Sequence, residues 1–308
     1  MKLSTGHKMW DQGEHNAFTD LIRFKHQWYC CFREGGEHVC NHGKLRLLRS
    51  DDFKKWQSIA LLSDSRGDLR DPKLSVTHHD ELMLNGVIRF IEPVDGEGMQ
   101  SLSWLSTDGV NWSGSFSCAT GLGSWRWSTT WQQNYGYSVA YSGKDSHGCL
   151  YRTEDGKSWQ IVKEHFFPEA DIYSNETSLL FLNDQRVLCL LRRDSRDPDE
   201  TVACLGEASP PYTTWQWQKL DRRIGGPKMI QLKSGELIAV IRLYDERVRT
   251  SVCQIDSGTG HVIELLALPS GGDCSYAGVV EYQQQLYISY YSSHEEDKSA
   301  IYSAVVTL

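Results

Sequence analysis

Short apolar runs, each followed by a polar turn and a second apolar run, recur along the chain. They span Phe18–Arg33, Asp71–Val87, Arg126–Tyr141, Glu176–Arg192, Gly226–Arg242 and Tyr276–Tyr291, with starts 53, 55, 50, 50 and 50 residues apart. Runs this short, rich in Leu, Val, Ile and Tyr and broken by Asp, Asn, Gly or Gln, predict β-hairpins. A repeat of about fifty residues leaves room for two more strands per unit. The pattern therefore predicts an all-β fold, a six-bladed β-propeller with four antiparallel strands per blade, with residues 1–308 as a single domain. Helical repeats would need an apolar period of about 3.6 residues, which these runs lack. The segment before Phe18 is expected to give an outer strand to the last unit, beside S-A-I-Y-S-A-V-V-T-L, and so to remove an open edge.

A second motif recurs at the same interval. It reads S-D-D-F-K-K-W (Ser50–Trp56), S-T-D-G-V-N-W (Ser106–Trp112) and T-E-D-G-K-S-W (Thr153–Trp159), with a degenerate copy from Ser209 to Trp215. Asp and Ser/Thr side chains cap turn amides, and glycine supplies positive φ. These aspartates are read as turn braces at the end of each unit away from any site, with the tryptophans packed between blades.

Composition narrows the function. Apolar residues make up 40% of the chain and charged ones 23%, and the formal net charge is -8. That balance excludes a nucleic-acid binder working through a general basic field. No window approaches a membrane-spanning apolar run, and MKLSTGHKMW does not read as a secretory leader. The chain as written is expected in the cytoplasm, or in the periplasm or outside the cell if a leader has been removed. Nine cysteines, an odd number without a Cys-x-x-Cys pair, read as free thiols rather than a disulfide framework.

In hairpin geometry, first-strand starts and second-strand ends lie together at one end of the molecule. Those positions hold Asp71 beside Arg70, Arg126, Glu176 and Tyr276, then Arg33 with Glu34, Arg192 with Arg193, Arg242 and Tyr291; Arg249 opens a third strand. Arginines gathered on one face of an acidic protein suit a carboxylate ligand, because a guanidinium donates two parallel charge-assisted hydrogen bonds. The bland reading is that single arginines pair with local carboxylates such as Asp194 and Asp245. A tyrosine beside a glutamate suits nucleophilic attack, since a phenol needs a base to take its proton. A neutral tyrosine also escapes the repulsion a carboxylate nucleophile would meet at a carbon already bearing a carboxylate.

These segments resemble the exo-α-sialidases and the wider sialidase-like superfamily with its Asp-box (BNR) turns. E-T-S-L-L-F-L-N-D-Q-R-V-L-C-L-L-R is similar to the family segment carrying the glutamate partner and an arginine of its triad, which implies Glu176 and Arg192. S-Y-A-G-V-V-E-Y resembles the nucleophile strand, implying Tyr276, and V-R-T-S-V-C-Q-I the strand of the last arginine, implying Arg249. The family's first arginine stands in Arg-Ile-Pro, but here the stretch is Asn16-Ala17-Phe18-Thr19, so Arg33, Arg70 or Arg242 has to stand in. The family's acid aspartate has no counterpart in R-E-G-G-E-H-V, which offers Glu37 and His38; Asp71 in L-R-D-P is the preferred acid and Glu37 the next.

The resemblance implies a retaining exo-α-sialidase, or a hydrolase of a related 2-keto sugar acid, acting on sialylated or other acidic glycans. Tyr276, Glu176, Asp71 and Glu37 are its candidate catalytic residues, with Arg33, Arg70, Arg192, Arg242, Arg249 and His38 binding substrate. The alternatives are another propeller glycosidase or polysaccharide lyase acting on acidic glycans, or a non-catalytic sugar-binding propeller. No cofactor is expected, and no nucleic-acid or membrane partner. His38, Cys40 and His42 raise a metal site, but nothing places them on a helix, so none is expected.

Overall fold

The computed structural model describes residues 1–169, 171–295 and 298–308. In chain order the strands are β1 (Lys2–Trp10), β2 (His15–Phe24), β3 (Gln27–Gly35), β4 (Lys44–Ser50), β5 (Gln57–Leu62), β6 (Gly67–Val76), β7 (Leu82–Val94) and β8 (Glu97–Ser106). They continue as β9 (Trp125–Gln132), β10 (Tyr135–Tyr141), β11 (Cys149–Thr153), β12 (Gln160–Lys163), β13 (Tyr173–Phe181), β14 (Val187–Asp194) and β15 (Val202–Ala208). The last are β16 (Gln216–Gln231), β17 (Leu237–Leu243), β18 (Arg249–Ile255), β19 (Val262–Ala267), β20 (Cys274–Tyr282), β21 (Gln285–Ser292) and β22 (Ala300–Thr307). Two 3₁₀ turns are the helical elements among the described residues.

Each repeated run forms an antiparallel hairpin, because its alternating apolar positions bury one face and the polar turn reverses the chain. The first strands of these hairpins meet in a closed ring. β2 touches β6, β6 touches β9, β9 touches β13, β13 touches β16, β16 touches β20, and β20 touches β2. This is a propeller, and β1 closes it by pairing with β22, Lys2 opposite Thr307 and Trp10 opposite Ile301.

Six separate four-stranded blades are not what the strands build. They form five hydrogen-bonded sheets: three of four strands, one of seven (β13 to β19) and one of three (β6 to β8). Two local causes account for this. β16 runs through Ile224-Gly225-Gly226 without a break, pairing β15 with its first half and β17 with its second, so two sheets become one. After β8, the Gly- and Ser-rich stretch to Ser117 makes only an isolated bridge, Ser103 to Phe116, in place of a fourth strand.

The repeated aspartates close turns. Asp52 Oδ1 accepts from the amides of Lys54 and Lys55, both at 2.9 Å. Asp108 Oδ1 accepts from Val110 and Asn111 (2.8 and 2.7 Å), and Asp155 Oδ1 from Lys157 and Ser158 (both 2.8 Å). The nine cysteines are free, and burial pushes the thiols of Cys30 and Cys253 up to about 12, so both are inert packing groups.

The ring is tight where β20 meets β2. A Cβ on Gly278 would lie 2.0 Å from the Leu21 nitrogen and 2.7 Å from the Asp20 carbonyl carbon, both backbone atoms that cannot turn away. Gly278→Ala is expected to destabilise the fold by about 1–3 kcal/mol or more, as overpacking does. Thermal or urea unfolding measures it, and an unchanged midpoint would show that the two backbones part without cost.

Candidate active site

The first strands of all the hairpins carry the same defect at the same level. Between Ala17 and Asp20, Arg70 and Lys73, Arg126 and Thr129, Ser174 and Thr177, Gly225 and Lys228, and Ser275 and Gly278, three steps on the inner strand face two on its partner. Each is a β-bulge, which adds one unpaired residue and re-aims side chains. The residues so placed include Phe18, Asp71, Trp127, Glu176, Gly226 and Tyr276. Four have left-handed backbone: Phe18 (φ 64°), Asp71 (φ 47°), Gly226 (φ 55°) and Tyr276 (φ 48°). For the three that are not glycine this conformation is strained, and such strain clusters at functional sites.

Tyr276 and Glu176 meet at the centre. The Tyr276 hydroxyl donates to Glu176 Oε1 at 2.5 Å. Arg192 Nη1 donates to the same carboxylate oxygen at 2.8 Å and to the Tyr276 oxygen at 3.3 Å. The other oxygen, Glu176 Oε2, accepts from the Gly226 amide at 2.8 Å. Thr19 Oγ1 donates to the Tyr276 carbonyl at 2.8 Å, which fixes the bulge from the neighbouring strand. Burial, then the Glu176 charge, holds the Tyr276 phenol well above its ordinary range, against the opposing pull of Arg192 and Arg242. The phenol is thus a neutral O–H aimed at a base.

Asp71 lies close enough to exchange charge effects with this pair. It is 6% exposed, and its Oδ1 has no hydrogen-bond partner. Burial raises its carboxyl above the usual range; Arg70 and Lys73 pull it down, while Glu176 adds to the rise. Arg70 opposes the shift without cancelling it.

The arginines divide. Arg192 holds Glu176 and Asp194, and its Nε is buried without a partner. The Arg242 guanidinium carbon lies 5.2 Å from the Tyr276 ring centroid, and its Nη2 donates to the Tyr291 hydroxyl at 3.1 Å. Arg70 lies 5.2 Å over the Phe18 ring and donates to the His38 carbonyl at 2.8 Å. These three border the Tyr276–Glu176 pair and its bulges.

Arg249 does not join them. It forms a fork with Glu264 (2.8 and 2.6 Å) and pairs with Asp245 at 2.9 Å. Arg33 is buried completely and spent on Asp68 (2.8 and 3.0 Å), on the Glu37 carbonyl and on Cys40 Sγ. It anchors the loop between β3 and β4, and that loop leaves Glu37 exposed, whereas Asp71 is buried. His38 lies half-exposed at the rim, its Nδ1 2.8 Å from Asp273 Oδ2, with its ring edge-on to Phe18 at 5.2 Å. With His38 committed to Asp273 and Cys40 to Arg33, the two do not form a metal set with His42. Among the described residues, two other groups have metal-ligand spacing: His15, His38 and Asp273, and Asp145, His147 and His165.

Sequence reasoning missed several residues. Asp273 accepts from the Tyr291 hydroxyl at 2.6 Å and faces Arg242 at 3.5 Å, so it positions two site groups; an aspartate in the loop just before a strand carries no signal of that. Lys73 Nζ donates to the Thr19 carbonyl at 2.9 Å and lies 5.8 Å from the Tyr276 ring. It follows Asp71-Pro72, and its burial at 4% exposed is the unusual feature. Tyr141 stacks on Trp125 (5.6 Å, 15°). Burial first, then Asp71, Glu176 and Tyr276, raise its phenol. The Trp127 ring, in the bulge of β9, lies 5.7 Å from Tyr276.

No family model matches the sequence, and no curated protein sequence matches it. Solved structures do share its fold. A protein of unknown function from Dyadobacter fermentans superposes with a TM-score of 0.83 at 16% identity, covering 100% of this chain and 99% of that one. The Penicillium chrysogenum α-L-arabinanase complexed with arabinobiose gives 0.75 at 13% identity, covering 100% and 99%. The Trypanosoma rangeli sialidase gives 0.73 at 10% identity, covering 99% of this chain and 58% of that one. The fold is therefore one that glycoside hydrolases use; at these identities the likeness is one of fold alone.

Proposed function

We propose that this protein is a retaining glycoside hydrolase that cleaves a terminal 2-keto sugar acid of the sialic acid type from a glycan. The observation that carries this reading is the 2.5 Å hydrogen bond from the Tyr276 hydroxyl to Glu176, with Arg192 on both. In the first step Tyr276 oxygen attacks the anomeric carbon as its proton passes to Glu176 Oε1. The bond to the leaving oxygen breaks, and Asp71 gives that oxygen its proton. In the second step water attacks the same carbon, Asp71 takes the water proton, and Tyr276 leaves with the proton returned by Glu176. Arg192 and Arg242, with Arg70 beside them, supply the guanidinium groups for the substrate carboxylate.

A second reading draws on Phe18. It stands in the first bulge where the family resemblance expects an arginine, and an aromatic ring suits an uncharged sugar face better than a carboxylate. The matching coverage of the arabinanase fold agrees with it. In that reading Glu176 itself attacks the anomeric carbon of a neutral sugar, and Asp71 remains the acid.

A panel of fluorogenic α-sialosides, other 2-keto sugar acid glycosides and α-L-arabinofuranosides separates the two, with the first-formed anomer followed by NMR. Release of the sugar acid with retained configuration is expected. Turnover of neutral arabinosides alone supports the second reading. Inversion, or no turnover of any member, overturns both.

A further inference from the structure

We propose that Asp145, His147 and His165 form a binding site for a divalent transition-metal ion at the rim of the propeller, separate from the Tyr276–Glu176 centre. The residues come from two loops, one between β10 and β11 and one after β12. One ligand atom of each lies within 4.8 Å of those of the other two, so modest side-chain rotation gathers them on one ion. The imidazoles stand edge to face at 4.7 Å and 89°.

His147 is already oriented as a ligand would be. Its Nδ1 lies 2.6 Å from the Phe167 carbonyl, which can only accept, so that nitrogen carries the proton. Nε2 is then left with the lone pair a metal needs, the usual arrangement in which a backbone carbonyl fixes the tautomer of a ligating histidine. Asp145 Oδ1 accepts from the His147 amide at 2.9 Å, which ties the carboxylate to the same loop. Asp145 also lines a cavity shared with Ser124, Tyr141, Gly148 and Tyr151.

The other group, His15, His38 and Asp273, is a poorer candidate. Its carboxylate already accepts from Tyr291 and His38 and faces the permanent charge of Arg242. Two imidazoles and one carboxylate suit zinc and its neighbours rather than calcium or magnesium, and three protein ligands leave a coordination position open.

The test uses tag-free, chelator-treated full-length protein titrated with zinc by calorimetry, and needs no substrate. One zinc per chain is expected. His165→Ala, at an exposed position, is expected to weaken binding at least tenfold, as is His147→Ala. His38→Ala is expected to leave it unchanged. Absence of zinc binding by the wild-type chain, unchanged affinity in both His147→Ala and His165→Ala, or loss in His38→Ala overturns the proposal.

Discussion

Tyr276→Phe is expected to lower turnover by roughly 10⁴-fold or more, the scale on which removing a nucleophile acts. The fold should survive. The ring contacts to Phe18 (5.2 Å), Trp127 (5.7 Å) and Tyr291 (5.9 Å) need no hydroxyl, and Phe has no greater difficulty than Tyr with the left-handed backbone. What is lost is the oxygen that faces Glu176 and Arg192. Affinity for a carboxylate-bearing inhibitor should stay near wild type, because Arg192 and Arg242 remain. Kinetics on a fluorogenic substrate, with calorimetry of inhibitor binding, measures both. Wild-type rates in Tyr276→Phe would sink the tyrosine mechanism. Glu176 would then be the nucleophile, and a fluorinated sugar trapped on the peptide containing residue 176 would identify it.

Asp71→Asn carries the second large effect, about 10²–10⁴-fold on natural glycosides, the range for loss of a general acid. A substrate whose leaving group needs no proton, such as an activated aryl glycoside, should be spared most of that loss. Equal loss on both substrates would remove Asp71 from proton transfer. The same variant has a stability signature with a definite sign. The folded-state carboxyl is raised by burial, so folding is favoured most while Asp71 is protonated, and that contribution fades as pH rises through the raised value. Asn cannot ionise. Asp71→Asn should therefore be more stable than wild type on the alkaline side, and the advantage should vanish at acid pH. Thermal unfolding across pH reads this directly.

The hairpins were legible because alternation and turn chemistry act over a few residues. Glu176, Tyr276, Arg192 and Arg242 were legible as candidates because strand ends fall at one end of a hairpin ring. The bulges were not. Nothing in Ala17-Phe18-Thr19 or Ser275-Tyr276-Ala277 announces a left-handed phenylalanine or tyrosine, since a ring of strands imposes that conformation from outside. Arg249 was misjudged for a related reason. A long side chain at a strand start reaches either way, and Glu264 on the next strand, together with Asp245, captures it. The Glu264 carboxyl, held down to about 2 by that arginine, records how fully the pair is engaged. The regular four-strand unit failed where β16 had no break and where the chain after β8 had no β-forming run, two features of single segments that an averaged repeat hides.

Gly226 gives the centre a built-in spectroscopic probe. Its amide proton rests on Glu176 Oε2, so its ¹H and ¹⁵N resonances should move whenever that carboxylate gains or loses a proton or a ligand. Glycine amides fall in a sparsely populated region of the nitrogen spectrum. One signal, selectively labelled, would let the protonation of the base be followed through a catalytic cycle without an added reporter.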